Sequence, residues 1–216
     1  MEQEILTPDQ KSILSAVSED LALKEVYLSG GTALSGFYFH HRLSEDLDFF
    51  SDQDFDVNYL HAFVETLKKK TKATSFEYQR LYDRNIFVLH KKGEEIKIEF
   101  TLYPFKKLNP RKLIRGVKVD SLRDIAANKL MAMLDRFDPK DYVDLYFLLQ
   151  KTPLQKVRAD AEKKFNPVIP ALFLGSQLSN AKHISALPKM LKPLTIEELK
   201  DFFEGLCKKL SNQVIE

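Results

Sequence analysis

The strongest constraint on the fold lies between Glu25 and Phe50. A run with strand character, Glu25-Val-Tyr-Leu28, leads into Ser29-Gly-Gly-Thr32, and the stretch closes on two aspartates one leucine apart, Asp46-Leu-Asp48-Phe-Phe50. Strand side chains alternate between faces, so Asp46 and Asp48 share one face while Leu47 and Phe49 take the other. Two ionised carboxylates side by side repel and call for a counter-charge. A divalent cation supplies one, and Mg²⁺ prefers one or two carboxylates together with the oxygens of a bound phosphate. The glycines supply the phosphate half of that idea. Gly30 and Gly31 allow a tight backbone turn, and a helix beginning near Thr32 offers unpaired N–H groups to an anion.

Gly30-Gly-Thr-Ala-Leu34 followed by His41-Arg-Leu-Ser-Glu-Asp-Leu-Asp-Phe-Phe50 resembles the signature of the AbiEii/AbiGii-type toxin nucleotidyltransferases. These belong to the nucleotidyltransferase superfamily of the DNA polymerase β type. A second family signature follows as Ala127-Asn-Lys-Leu-Met-Ala-Met-Leu-Asp-Arg136 and Lys140-Asp-Tyr-Val-Asp-Leu145, with Lys140 standing where the family usually has Arg. The resemblance covers roughly residues 25–150 and implies an α+β fold. In it a nucleotidyltransferase-type mixed β-sheet with flanking helices is followed by an all-helical C-terminal half. It also implies Mg²⁺, two ions in all, with an NTP as substrate, an RNA such as tRNA as acceptor, and a cognate antitoxin protein as partner.

Composition narrows the class without naming a partner. Hydrophobic residues make up 44% of the 216 and charged residues 30%, as in ordinary globular proteins. Lys and Arg total 33 against 31 acids, so the net charge of +2 does not by itself point to nucleic acid. The single cysteine, Cys207, excludes an intrachain disulfide and fits a reducing compartment. No apolar run approaches the ~20 residues of a membrane span, and the N-terminus lacks the apolar core of a signal peptide. The expectation is a cytoplasmic protein without membrane contact.

Along the chain, Thr7-Pro-Asp-Gln10 reads as a capped helix start, with Ile13, Leu14, Val17 and Leu21 on one face. After strand 25–28, a short helix is expected over 32–39, then the aspartate strand, then an amphipathic helix capped by Asp56 or Asn58 and ending in Lys68-Lys-Lys70. Strands follow at 74–80, 86–91 and 95–102, with Lys92-Gly-Glu94 as a hairpin turn between the last two. Lys106 to Lys118 holds six basic residues and no acid, with Pro110 and Gly116 as breakers. It is the expected boundary between a catalytic α/β domain, 1–120, and a helical domain, 121–216. Its cations can meet the phosphates of an RNA or simply face solvent.

Asp46 and Asp48 are the metal ligands of this reading. Glu99 stands on the polar face of its strand, where the superfamily places a third acid, more often Asp. Its alternative is a solvent-facing glutamate paired with Lys97. Ser29, Gly30, Gly31 and Thr32 form the phosphate cradle. Arg42 suits a bidentate phosphate contact or a structural bridge from helix to sheet, and Ser44 suits a phosphate oxygen or a turn cap. A kinase loop at His41-Arg-Leu43 is excluded, since no G-x-G-x-x-G or D-F-G accompanies it. Lys129 lies on a largely apolar helix face, where a lysine snorkels or meets an anion. In the family the equivalent lysine is associated with the NTP phosphates. Asp141 fits a helix-start box, and the resemblance gives it an active-site role, holding Lys129 or assisting acceptor deprotonation. Asp144, one turn on, is the other acid of that helix.

Two other function classes stay open on these residues. One is a nucleotidyltransferase acting on small molecules or proteins. The other is a non-catalytic NTP-binding interaction protein, against which the retention of both aspartates counts.

Overall fold

The computed structural model describes residues 5–215, with side chains to residue 211. The chain forms two compact units. One comprises the chain up to Tyr38 together with Ser44–Phe105 and Pro110–Ser121, and the other comprises Phe39–Leu43, Lys106–Asn109 and everything from Leu122 on.

The first unit is built on a seven-stranded mixed sheet. Its strands are β1 (Tyr27–Leu28), β2 (Leu47–Ser51), β3 (Ser75–Leu81), β4 (Arg84–Lys91), β5 (Glu94–Leu102), β6 (Lys112–Ile114) and β7 (Val117–Val119), in the order β3-β4-β5-β2-β1-β7-β6. β2 runs parallel to β5, with Leu47 opposite Ile98, Asp48 opposite Glu99 and Phe49 opposite Phe100. One face of these strands is therefore apolar and the other acidic. Phe49 and Phe100 stack at 5.3 Å on the apolar face, and Phe63 meets Phe100 edge-on. Phe63 belongs to α3 (Val57–Thr71), whose buried Leu60, Phe63, Val64 and Leu67 recur at helical spacing. Asp56 caps it by accepting from the N–H groups of Asn58 and Tyr59, which settles the two candidates for that cap.

α1 (Pro8–Glu19) opens on the anticipated capping box. Thr7 Oγ1 accepts from Gln10 N, and Gln10 Oε1 accepts from Thr7 N. Between β1 and β2, α2 (Gly30–Leu34) continues as one wide π-helical turn over Ser35–Phe39.

The later part of the stretch 106–118 forms the hairpin β6–β7. Arg115 and Gly116 both take positive φ, 52° and 81°, the pairing that a two-residue turn of matched twist demands. β7 then joins β1 in parallel through Leu28 and Val119, extending the sheet.

The second unit contains α4 (Leu122–Asp135), α5 (Pro139–Leu149), α6 (Leu154–Phe165), α7 (Ala171–Ser179) and α8 (Ile196–Ile215). Two short stretches complete it. Leu108 and Asn109 donate their backbone N–H groups to the carboxylate of Asp124, which also accepts from Lys164 Nζ at 2.8 Å. The His41 carbonyl accepts from the N–H groups of Leu191 and Lys192, and Leu43 N donates to the Lys189 carbonyl. Phe39 and His41 pack on Phe147.

A buried ion cluster ties this unit together. Lys129 Nζ lies 2.8 Å from Asp141 Oδ1 and 2.6 Å from Asp144 Oδ2. Arg42 grips Asp144 with a two-pronged fork, Nε to Oδ1 at 2.7 Å and Nη2 to Oδ2 at 2.8 Å. His41 Nε2 donates to the same carboxylate at 2.8 Å, and Arg136 Nε donates to Asp141 Oδ2 at 3.0 Å. Burial opposes the charge on Asp144, but Lys129 and Arg42 outweigh it and hold the carboxyl well below the usual range. Burial depresses the His41 pKa despite Asp144, so the imidazole is neutral at pH 7.

Asp144→Ala should leave buried Arg42 without its carboxylate and Lys129 with Asp141 alone, and destabilise the protein by about 3–5 kcal/mol, read from urea denaturation. The Asp144 pKa is lower in the folded chain than in the unfolded one. Its contribution is therefore present above the ordinary carboxylate pKa of about 3.9 and fades as the pH falls below it. Wild-type stability should decline in acid below about pH 4, and an Asp144→Asn variant should lose that component of the slope.

Candidate active site

The site in the sheet unit starts from a glycine whose backbone and missing side chain are both used. Gly30 has φ of +69°, and a Cβ built on it would sit 2.5 Å from Asp48 Oδ2. Both the left-handed backbone and the missing side chain are used, so the glycine loop closes directly onto the acidic strand. Ser29 N donates to the Asp48 carbonyl at 3.0 Å, which fixes the loop to β2 from the backbone side.

Asp46 lies one residue before β2, and its position is set from two directions. Thr32 Oγ1 donates to the Asp46 carbonyl and shares a 2.8 Å hydrogen bond with Ser44 Oγ. Gln10 Nε2 donates to the carbonyls of Ser44 and Glu45 at 2.8 and 3.1 Å. The carboxylate of Asp46 itself is 43% exposed, with the Lys97 ammonium 3.8 Å from Oδ2.

The expected phosphate cradle is divided by this geometry. Thr32 and Ser44 spend their hydroxyls on the loop that carries Asp46. Ser29 Oγ donates to Asp120 Oδ2 at 3.0 Å, and both residues are buried. Asp120 was not legible as a site residue, because just before Ser121 it reads as an ordinary acid at a helix start. The main chain of Gly30 and Gly31 is left as the part of the cradle whose polar groups the loop itself does not commit through a side chain.

Glu99 is opposite Asp48 across β2 and β5, so the two share a face. It is 5% exposed rather than solvent-facing. Its oxygens are taken by cations and a hydroxyl: Oε1 accepts from Arg84 Nε at 2.6 Å and from Thr101 Oγ1 at 2.8 Å, and Oε2 accepts from Arg84 Nη2 at 2.6 Å. Lys97 Nζ lies 4.0 Å from Oε2. Burial raises the Glu99 pKa, but the hydrogen bonds from Arg84 and Thr101 prevail and hold it below the ordinary value. In turn the hydrogen bonds and charge of Glu99, with a contribution from Asp48, raise the pKa of Arg84. Among the described residues, no three His, Cys, Asp or Glu side chains converge as a ready metal cage. Arg84 escaped the sequence reading. At the first position of β4 it looks like a strand-edge cation, and only the register that sets it across from Thr101 brings it to Glu99.

The remaining expected residues lie in the helical unit. Arg42 is buried and commits its fork to Asp144, with Nη1 donating to the Leu43 carbonyl at 2.9 Å. It takes the structural course of its two readings, because a phosphate would have to displace a buried carboxylate. Lys129 is likewise surrounded by Asp141 and Asp144 and does not snorkel to solvent. Asp141 holds Lys129 and Arg136, and Asp144 is the hub of the cluster.

The chemistry of this site agrees with what the chain is similar to. The family model of the nucleotidyl transferase AbiEii toxins, of type IV toxin–antitoxin systems, matches residues 12–213. The chain is 29% identical over 209 residues to the uncharacterized protein aq_aa25 of Aquifex aeolicus (strain VF5), covering 94% of this chain and 96% of that one. The structure of JHP933 from Helicobacter pylori is similar, with a TM-score of 0.60 at 21% identity over 95% of this chain and 92% of that one. So is that of MenT4, a nucleotidyltransferase toxin from Mycobacterium tuberculosis H37Rv, with a TM-score of 0.58 at 16% identity over 94% and 81% of the two chains. At such identities these two structures speak for the fold, and they agree with the mixed sheet and flanking helices seen here. With the family model spanning nearly the whole sequence, glycine pair and aspartate pair included, the chain belongs to the nucleotidyl transferase AbiEii toxin family and is a nucleotidyltransferase.

Proposed function

We propose that the chain transfers a nucleoside monophosphate from a Mg²⁺-bound NTP to a hydroxyl of an RNA, acting in the cytoplasm as a toxin restrained by a cognate antitoxin. The observation that carries this reading is the approach of Gly30 to Asp48, where a single Cβ would close the gap to 2.5 Å. That contact sets a glycine-turned backbone, suited to phosphate oxygens, directly against a carboxylate suited to a cation.

The residues present fit Mg²⁺. The ion keeps several waters and takes one or two carboxylates beside substrate phosphates, so Asp46 and Asp48 suffice for it without a third acid. Bound there, it would neutralise charge on the triphosphate and on the departing pyrophosphate. The chain's own groups do the rest. The first N–H groups of α2 at Gly30 and Gly31 lack intrahelical partners and can receive phosphate oxygens. Thr32, Ser44 and Gln10 keep Asp46 in place from the backbone side. The acceptor oxygen bonds to the α-phosphorus, the bond to the bridging oxygen of the β-phosphate breaks, pyrophosphate leaves, and the hydroxyl proton is released to solvent.

RNA as the acceptor draws on the exposed cations of the stretch between β5 and β7. Arg111 is paired with Asp52 and lies over the Tyr27 ring, and Lys118 meets Glu25, which leaves Lys112 and Arg115 of the β6–β7 hairpin exposed. Such side chains can answer phosphates along a strand.

Radiolabelled NTPs incubated with RNA, protein and small-molecule pools should place label on RNA, and label only on protein or small molecules would overturn the acceptor assignment. Asp46→Asn and Asp48→Asn should each lower transfer more than about 100-fold while the melting point stays near wild type. Full turnover in either would remove the metal role. Gly30→Ala should be damaging twice over. It forces an L-residue to a left-handed backbone at about 1–3 kcal/mol and pushes Asp48 aside, so both melting temperature and turnover should drop.

A further inference from the structure

Glu99 spends three hydrogen bonds on Arg84 and Thr101, and the cation it holds points to a role in choosing the acceptor. Across the sheet the polar groups fall in a fixed sequence. Gly30 follows β1 and touches Asp48 on β2; Asp48 is opposite Glu99 on β5; Glu99 grips Arg84 at the start of β4. Neighbouring strands lie about 4.8 Å apart, so Gly30 and Arg84 stand on opposite sides of Asp48. In phosphoryl transfer the attacking and leaving oxygens lie roughly in line through phosphorus. If pyrophosphate departs on the Gly30 side, the acceptor approaches on the Arg84 side. This step rests on the reading of Gly30–Asp48 as the nucleotide site.

Arg84 is well prepared for an anion there. Nε and one Nη2 hydrogen are fixed by Glu99, whose orientation is fixed in turn by Thr101. Among the described residues Nη1 has no acceptor, and the side chain is 38% exposed. A guanidinium anchored along one edge presents its other edge as a rigid two-pronged donor matched to a phosphate. A phosphate near the acceptor hydroxyl would match this edge. A 3′-terminal RNA hydroxyl has a phosphodiester one nucleotide away.

We propose that Arg84 binds a backbone phosphate of the RNA acceptor beside the reacting hydroxyl, and that Glu99 is a positioning residue that aims Arg84 rather than a metal ligand. Glu99 then takes a different part from the third acid of the sequence reading. The Lys97 ammonium, between Asp46 and Glu99, completes a cationic margin on the same side.

The test measures binding of a fluorescent single-stranded RNA with a free 3′-hydroxyl over a salt series, and separately binding of Mn²⁺ and of a non-hydrolysable NTP analogue. Arg84→Ala should weaken RNA about 10-fold or more and flatten the salt slope by about 0.7, the share of one phosphate contact on a single strand. Mn²⁺ and nucleotide affinity should stay within about twofold, well inside a single lost contact. Arg84→Lys, which keeps the fold if the alanine does not, should restore the slope but only part of the affinity, since an ammonium has no fork. Glu99→Gln should weaken RNA with the slope kept and leave Mn²⁺ affinity unchanged. An Mn²⁺ affinity that collapses in Glu99→Gln would make Glu99 a ligand and overturn the proposal. RNA binding indifferent to Arg84, or a loss confined to the nucleotide, would overturn it too. Should wild-type protein bind no RNA at all, the RNA reading falls and takes this proposal with it. A wild type that binds RNA beside an Arg84→Ala variant that binds it equally well sinks the Arg84 assignment alone.

Discussion

No side chain stands between Gly30 and Asp48, and most of the sheet unit's chemistry depends on that gap. A left-handed glycine turns the chain sharply out of β1, and the backbone hydrogen bond from Ser29 to Asp48 then locks the turn against β2. Once locked, the loop organises its surroundings. Thr32 reaches the Asp46 carbonyl, Ser44 reaches Thr32, and Gln10 reaches from the first turn of α1 to the same segment. A polar site held by this many backbone contacts is pre-organised, which is where electrostatic catalysis gains most.

The two units treat their acids in opposite ways. In the helical unit, buried Asp141 and Asp144 are matched by buried Lys129 and Arg42, with neutral His41 on Asp144 and the more exposed Arg136 on Asp141. Removing one partner there leaves an uncompensated buried charge. In the sheet unit, Asp46 is half exposed and only loosely approached by Lys97, whereas Glu99 is buried and tightly gripped. The exposed carboxylate of Asp46 suits a substrate that brings its own counter-charge. The gripped acid suits the support of a neighbouring cation.

Much of this was legible in the residues. The capping box at Thr7–Gln10, the Asp56 cap, the Lys92–Gly93 hairpin and the alternation through Ile96, Ile98 and Phe100 are local patterns, and local hydrogen bonding and side-chain direction reproduce them. The hairpin at Arg115–Gly116 was missed because a run of lysines and arginines masked a short alternating pattern. The motif's His41 and Arg42 were read with Asp46 because they adjoin it, yet the chain passes through the helical unit at Phe39–Leu43 before returning to the sheet.

The sequence by itself determined the glycine turn, the helix caps and the hairpin at Lys92–Gly93. Each of these local features rests on residues within a few positions of one another, where backbone geometry dictates the outcome. Only the tertiary structure decided what the charged groups do. Arg42 and Asp144 are 102 residues apart, and Arg84 meets Glu99 because β4 pairs with β5 in one register and not the next. A one-residue slip would turn Arg84 to the other face. An ion pair has no periodicity to betray it, so its partners become visible once the strands and helices that carry them have packed.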